Sequence, residues 1–371
     1  MNSRERVLTA LRRQQPDKAP YEIPRFNRAA WKRFNIETGS TNPDEYFGVE
    51  TDFEWVDFAP TDVNIKERYL LYHELPPNVI YKKDDSDLHK DDYTFNEWGT
   101  VFIAGTDPAY DHFVAPAKMM NAAGLNDIEK YPMPDFMSDY RHNHFEKIIA
   151  GIHGRQRASV INMEMTIFEV SWQIRGLDQL LTDFAIGTDI AECLLDRVTA
   201  VSVAKAQRIA QAGVDIIRLG DDVGMKDRMI MSPDMWRQWL KPRLAKVISA
   251  AKKNKPDVLI CYHSDGFIEP IIPELIEIGV DVLNPLQPEC MDPAKIKKLY
   301  GDKLAFWGTI GIQQTLPVGT PKDVEDEVRL RIETVGKGGG LLIGPTHVIA
   351  PEVPYDNLRA FVAAVKKYGT Y

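Results

Sequence analysis

The chain has 371 residues, 44% hydrophobic and 27% charged, which suits one large α/β domain or two ordinary ones with a full core. A net charge of −9 and a pI near 5.5 argue against general affinity for nucleic acid or an anionic membrane surface. The N-terminus, Met1-Asn-Ser-Arg-Glu-Arg6, carries no apolar signal core and no apolar run reaches membrane-spanning length, so a cytoplasmic protein is expected.

In chain order, an amphipathic opening predicts a helix over residues 3–15. Pro16-Asp-Lys-Ala-Pro20 then leads into a short extended run, Tyr21-Glu-Ile23, which suits a first barrel strand. Asp52-Phe-Glu-Trp-Val-Asp-Phe58 and Gly99-Thr-Val-Phe-Ile-Ala104 follow, as a second barrel strand and part of an inserted β-hairpin near the barrel mouth. Between them the acidic run Asp84-Asp-Ser-Asp87 reads as a solvated loop. From about residue 155 short apolar runs alternate with helical patterns. The runs are Ser159-Val-Ile-Asn-Met-Glu164, Asp215-Ile-Ile-Arg-Leu-Gly220, Val258-Leu-Ile-Cys-Tyr262, Val280-Asp-Val-Leu-Asn284, Leu304-Ala-Phe-Trp-Gly308 and Leu341-Leu-Ile-Gly344. Helical segments are expected at 177–212, 233–253, 268–278, 295–300, 321–335 and 356–368. Such alternation implies parallel strands joined by right-handed crossovers.

Two parallel architectures fit, a closed (β/α)8 TIM barrel and an open doubly wound sheet. No strand leads into Gly-x-Gly-x-x-Gly, and polar residues gather at the carboxyl end of strand after strand: Glu164, Asp221-Asp222, His263 with Asp265, Asn284 with Gln287, Thr309, and His347. The barrel is therefore expected, as one domain over 1–371 with inserted loop and hairpin elements within 59–150. In Cys261-Tyr-His-Ser-Asp-Gly266 the histidine and carboxylate stand two apart at a strand end, so they face the same side. His263 and Asp265 could grip one metal ion or substrate atom together, or could make a local hydrogen bond and an Asp-Gly turn. Cys193, Cys261 and Cys290 are odd in number and far apart, which predicts neither disulfides nor a thiolate zinc site.

A longer series of motifs carries a family resemblance. Arg4-Glu-Arg-Val-Leu-Thr-Ala-Leu11 with Pro16-Asp17, Leu219-Gly-Asp-Asp-Val-Gly224, Ser232-Pro-Asp-Met-Trp236 with Lys241-Pro-Arg243, His263-Ser-Asp-Gly266, Gly279-Val-Asp-Val-Leu-Asn-Pro-Leu-Gln287, Phe306-Trp-Gly308 and Gly338-Gly-Gly340 running to His347 resemble the uroporphyrinogen decarboxylase superfamily over nearly the whole chain. The resemblance implies a (β/α)8 barrel and one of two activities: cofactor-free decarboxylation of porphyrinogens, or zinc-dependent methyl transfer with a corrinoid protein. Decarboxylases carry an arginine-rich Pro-x-Trp-x-Met-Arg-Gln-Ala-Gly-Arg motif, where this chain has Pro20-Tyr-Glu-Ile-Pro-Arg-Phe-Asn27 with Arg25 alone. One guanidinium serves a polycarboxylate poorly.

Methyltransferases of the family that act on thiols carry His-x-Cys and a further cysteine after the last strand. Here those places hold Asp265 and His347. The resemblance thus implies a nitrogen and oxygen ligand set for zinc, Glu164, His263 and Asp265, with His347 as a fourth ligand or a catalytic partner of the substrate. Such an ion suits polarising an oxygen more than presenting a thiolate. The expected reaction moves a methyl group from a methyl ether, a methoxylated aromatic, to the cob(I)alamin of a separate corrinoid protein. Phe168, Trp172, Tyr262 and Trp307 are candidates to flank the substrate, Asn284 and Gln287 to contact it, and Asp222 to orient a hydroxyl or supply a proton. The competing reading is a decarboxylase-like or other metal-free lyase acting on a small carboxylated substrate, with Asp222 and His263 as acid and base. Assembly as a homodimer stays open.

Overall fold

The computed structural model describes residues 1–50, 52–74, 81–82, 93–103, 112–114, 116–121 and 124–371. The acidic run at 84–87 lies outside them. Strands are numbered in chain order. β1 (Phe53–Val56) heads the main sheet, while β2 (Tyr81–Lys82), β3 (Tyr93–Phe95), β4 (Val101–Ile103) and β5 (His112–Val114) form a small separate sheet from the inserted region. The main sheet continues with β6 (Ala158–Glu164), β7 (Ile216–Gly220), β8 (Leu259–His263), β9 (Val282–Asn284), β10 (Ala305–Trp307) and β11 (Leu341–Leu342). Its seven strands are all parallel and lie in the order β1-β6-β7-β8-β9-β10-β11. Each apolar run expected from residue 155 onward has become one of them.

The sheet is curled. β1 and β10 stand five places apart in the strand order, which in a flat sheet would separate them by ~24 Å at ~4.8 Å per strand. Instead the rings of Trp55 and Trp307 stack with centroids 6.1 Å apart, and Phe53 meets Trp307 edge-on at 5.1 Å. One buried cluster takes residues from every main strand, among them Phe53, Val160, Ile216, Cys261, Val282, Trp307 and Leu342, together with Val7, Leu8 and Leu11 of the first helix. That helix therefore plugs the floor of a TIM-barrel-like shell. It spans Ser3–Leu11, shorter than expected, because Arg13 turns into the left-handed region at φ 62°. The helix expected over 177–212 is likewise two, Leu177–Ile186 and Asp189–Gln211, parted at Gly187 with φ 72° and restarted by the Thr188 cap.

The first barrel strand is reduced to a bridge, Tyr21 with Ile343, held by Glu22 N–H to the Ile343 carbonyl at 3.1 Å and Ile343 N–H to the Pro20 carbonyl at 2.9 Å. Pro20 and Pro24 flank it without N–H groups, so no longer ladder can form. Among the described residues no ladder joins this segment to β1, and the shell keeps a seam there.

At the floor, Asp215 ties the plug to the shell. It accepts from Arg4 Nε and Nη2 at 3.0 and 2.7 Å, from the Ser159 N–H at 3.1 Å, and contacts His153 Nε2 at 2.9 Å. Burial alone would raise its pKa, but the Arg4 and Ser159 hydrogen bonds outweigh it and hold the carboxyl below its ordinary value. Such a carboxylate stabilises the fold above its unfolded pKa and loses that contribution as pH falls through its folded pKa. Asp215→Ala is expected to cost about 2–4 kcal/mol at pH 7, below the full penalty for breaking a buried pair because Arg4 still reaches water. Urea unfolding checks this. The gap between wild type and variant should narrow as the pH drops below 4.

Candidate metal centre

The register Gly220–His263–Asn284 across β7, β8 and β9 sets the site. Alternation along β8 turns Cys261 and His263 inward and Tyr262 outward into the layer between sheet and helices. Gly220 faces His263 so closely that a Cβ there would lie 2.3 Å from the His263 carbonyl oxygen and 2.6 Å from its Cβ. Gly224 is equally confined, 2.4 Å from the Asp265 carbonyl oxygen. Side chains at either position would push the two loops apart.

The two nitrogens of His263 have different tasks. Asn284 Nδ2 donates to the Trp307 carbonyl at 3.0 Å, which fixes the amide and aims its oxygen at His263 Nδ1, 2.6 Å away. Nδ1 therefore carries the proton, and Nε2 offers a lone pair on the side of Asp222, whose Oδ1 is 3.8 Å off. Arg218 Nη2 also lies 2.9 Å from Nδ1, but a guanidinium only donates, so with the proton on Nδ1 this contact is not a hydrogen bond, and Arg218 pairs with Glu164.

Asp222, His263 and Asp265 bring their ligand atoms within 4.8 Å of one another. His347 Nε2 stands 3.5 Å from Asp265 Oδ2. Separations of 3.5 and 3.8 Å are near the ~3.4 Å edge of a tetrahedral site with bonds of ~2.0–2.1 Å. Asp265 Oδ1 is buried with no hydrogen-bond partner, and burial raises the pKa of this carboxyl. An unpaired buried carboxylate oxygen is what a cation would satisfy. Asp222 is braced by the Asp265 N–H to its Oδ1 at 2.8 Å, and its own N–H donates to Glu169 Oε2 at 3.1 Å. Its neighbour Asp221 has a separate duty. Asp221 accepts the N–H groups of Ile167 and Glu169 at the start of the helix Phe168–Arg175, and burial pushes its pKa up to about 7 despite them.

Glu164, expected as a third ligand, stands on the other side of the imidazole. Its Oε1 is 3.3 Å from Nδ1 and pairs with Arg218, and Asn162 Nδ2 donates to Oε2 at 3.1 Å. Burial would raise its pKa, but His263, Arg218 and Asn162 together hold it below its ordinary value. The guanidinium is its cation, and Asp222 takes the place beside Nε2.

A cavity of about 580 Å³ opens above His263, Arg218 and Glu164 and extends along the seam between Tyr21–Phe26 and Val49–Trp55, with His347 at its edge. Most of the expected substrate residues are elsewhere. Phe168 is fully buried against Phe184, Trp172 packs on Phe113 at 5.0 Å, and Tyr262 directs its hydroxyl to the Asp221 carbonyl at 3.4 Å. Gln287 Oε1 accepts the Gly266 N–H at 3.1 Å. These four are corrected from substrate contacts to packing and loop-bracing groups: the strand alternation and helix faces that set their directions point them away from the cavity. Asn284 lines it but is committed to His263, and Trp307 lies behind Trp55. The residues missed from sequence are Glu22 and Trp55 on the cavity wall and Glu169 beneath Asp222, a carboxyl whose pKa burial and the neighbouring Asp222 and Asp221 drive upward. Glu169 belongs to no motif. Glu22 and Trp55 were visible only as residues of expected strands.

A parallel curled sheet with outer helices and a histidine-carboxylate group at its carboxyl rim defines a TIM-barrel-like α/β protein with a candidate metal centre. A family model described as "Uroporphyrinogen decarboxylase (URO-D)" matches residues 113–368, and the chain belongs to that family. Methylcobamide:CoM methyltransferase MtaA of Methanosarcina barkeri is 33% identical over 181 residues, 49% of this chain and 50% of that protein. Uroporphyrinogen decarboxylase of Coxiella burnetii is 21% identical over 186 residues, 48% of each. The matches thus span about half the length of these curated relatives. A solved methyltransferase from Methanosarcina mazei shares the fold with a TM-score of 0.64 at 20% identity, over 99% of both chains.

If Asn284 sets the tautomer of His263, Asn284→Ala should lower affinity for a divalent ion ~10–100-fold while the circular dichroism spectrum stays unchanged. Metal-buffered titration measures it. Undiminished affinity would show that the imidazole is oriented without the amide.

Proposed function

We propose that the protein is a zinc-dependent methyltransferase that moves a methyl group from a methyl ether, a methoxylated aromatic, to the cob(I)alamin of a separate corrinoid protein. The reading rests above all on the group Asp222, His263 and Asp265, with its unsatisfied Asp265 oxygen, at the rim beside the cavity. Support comes also from the curated relatives, since the methylcobamide methyltransferase matches at 33% identity and the decarboxylase at 21%.

These residues suit zinc. One imidazole nitrogen and two carboxylates would hold it and balance its charge, leaving room for a further ligand, and His347 adjoins them. When bound, the ion supplies Lewis acidity toward an ether oxygen. The chain's own groups do the rest. Asn284 keeps the His263 proton on Nδ1, which leaves Nε2 as the ligand atom of the neutral ring. Arg218 neutralises Glu164 behind the ring, which keeps that carboxylate from competing for the ion. His347, half-exposed at the cavity edge, is placed to donate a hydrogen bond to the ether oxygen that would leave.

The test combines purified protein, zinc and free cob(I)alamin with a panel of methoxylated aromatics and small thiols, following the corrinoid spectrum. Methyl ethers should form methylcobalamin, chelation should abolish the reaction, and His263→Ala and Asp265→Ala should lose both zinc and turnover. Efficient thiol methylation would overturn the ether reading. Turnover by zinc-free protein would favour an acid/base enzyme.

A further inference from the structure

Of the proposed metal group only His263 lines the cavity, with His347 at its edge, and the cavity also holds a carboxyl that methyl transfer leaves without a task. Glu22 is fixed by its backbone to Ile343, just after β11, and Trp307 Nε1 donates to one of its side-chain oxygens. Gly344 lies against it: a Cβ there would come 3.1 Å from Glu22 Cγ. The second oxygen accepts no hydrogen bond among the described residues, and Glu22 keeps accessible area only because it faces the cavity. Burial beneath the surface pushes its pKa up to about 7, with Arg218 and Trp307 opposing. A desolvated carboxyl with a free oxygen is costly to the fold, and a ligand donor would offset that cost.

The walls define the rest of the ligand. Ile23, Phe26, Val49, Phe53 and Trp55 are apolar or aromatic, and Trp55 is held rigidly by its stack on Trp307. Four carboxylates line the space, those of Glu22, Asp44, Asp52 and Glu164, against the guanidiniums of Arg25 and Arg218. Arg218 is already paired with Glu164, and Arg6 reaches Asp52 from outside at 3.0 Å. A carboxylate-bearing ligand would therefore face the desolvated Glu22 carboxyl while Arg218 is already paired.

We propose that the slot takes the methyl donor as an uncharged aromatic ring bearing a free hydroxyl, with the ring against the Trp55 wall and the hydroxyl donating to Glu22, a specificity-determining residue. This rests on the methyl-ether reading above. It assigns the seam to the small molecule and the rim to the corrinoid.

Calorimetry on the zinc-loaded protein with 2-methoxyphenol, 1,2-dimethoxybenzene and 2-methoxybenzoate tests it. The phenol should bind ~10–100-fold tighter than the diether, the range for a hydrogen bond to a charged group, and the benzoate most weakly. Glu22→Leu should bring the phenol to the diether's affinity, and Glu22→Gln, which keeps shape and an acceptor, should retain part of the preference. Zinc content of both variants reports that the shell is intact. Equal binding of the three compounds, no binding of any, tightest binding of the benzoate, or a hydroxyl preference surviving in Glu22→Leu would each overturn the proposal. Selective phenol binding without methylcobalamin formation would support the slot while refuting methyl transfer, so the two readings fail separately.

Discussion

The hydrogen bond between Asn284 and His263 Nδ1 is the contact on which the site depends. It spends one face of the imidazole on protein and leaves the other to the two aspartates, dividing the rim into an ion pair behind the ring and a bare acidic group before it. The division holds only while β8 keeps its register with β7 and β9. That explains the crowding at Gly220 and Gly224, where ordinary side chains would wedge the loops apart. The anchoring amide is in turn fixed by a backbone carbonyl on the next strand, so three consecutive strands set one tautomer.

Much of this was legible in the chain. The six apolar runs after residue 155 became strands because their β-branched and apolar residues suit a sheet covered on both faces. The two-residue spacing of His263 and Asp265 correctly put them on one side. The same alternation, carried one step further, would have excluded Tyr262 from the cavity, since neighbours on a strand cannot share a face. Glu164 shows a different limit. Its strand position was right, and the neighbour that the structure puts beside it, Arg218, is set by cross-strand distance, which spacing along one strand does not reveal. Glu22 and Trp55 escaped notice because they come from stretches far apart in sequence that are brought together only when the sheet curls.

The shell is unevenly satisfied. Its floor is well satisfied, with Asp215 held by several donors and the first helix packed into the interior. Its mouth gathers carboxyls that burial works against, Glu22, Asp221, Asp265 and Glu169, and among the described residues Asp265 Oδ1 and the second Glu22 oxygen find no hydrogen-bond donor. Stability gathered below is spent above, the usual distribution in a fold whose rim does chemistry.

The seam has an evolutionary consequence. The match to the family spans 113–368 and takes in Asp222, His263, Asp265 and His347, while Glu22, Phe26 and Trp55 on the cavity wall fall before it. The wall built by Glu22, Phe26 and Trp55 thus lies in a separate stretch of the chain from the rim group, while Glu164, Arg218 and Asn284 complete the cavity from within the match. On the proposed reading, substitutions in the first sixty residues would alter what the slot admits without touching the residues proposed to hold the ion. Substrate preference would then be free to drift while the rim group stays fixed.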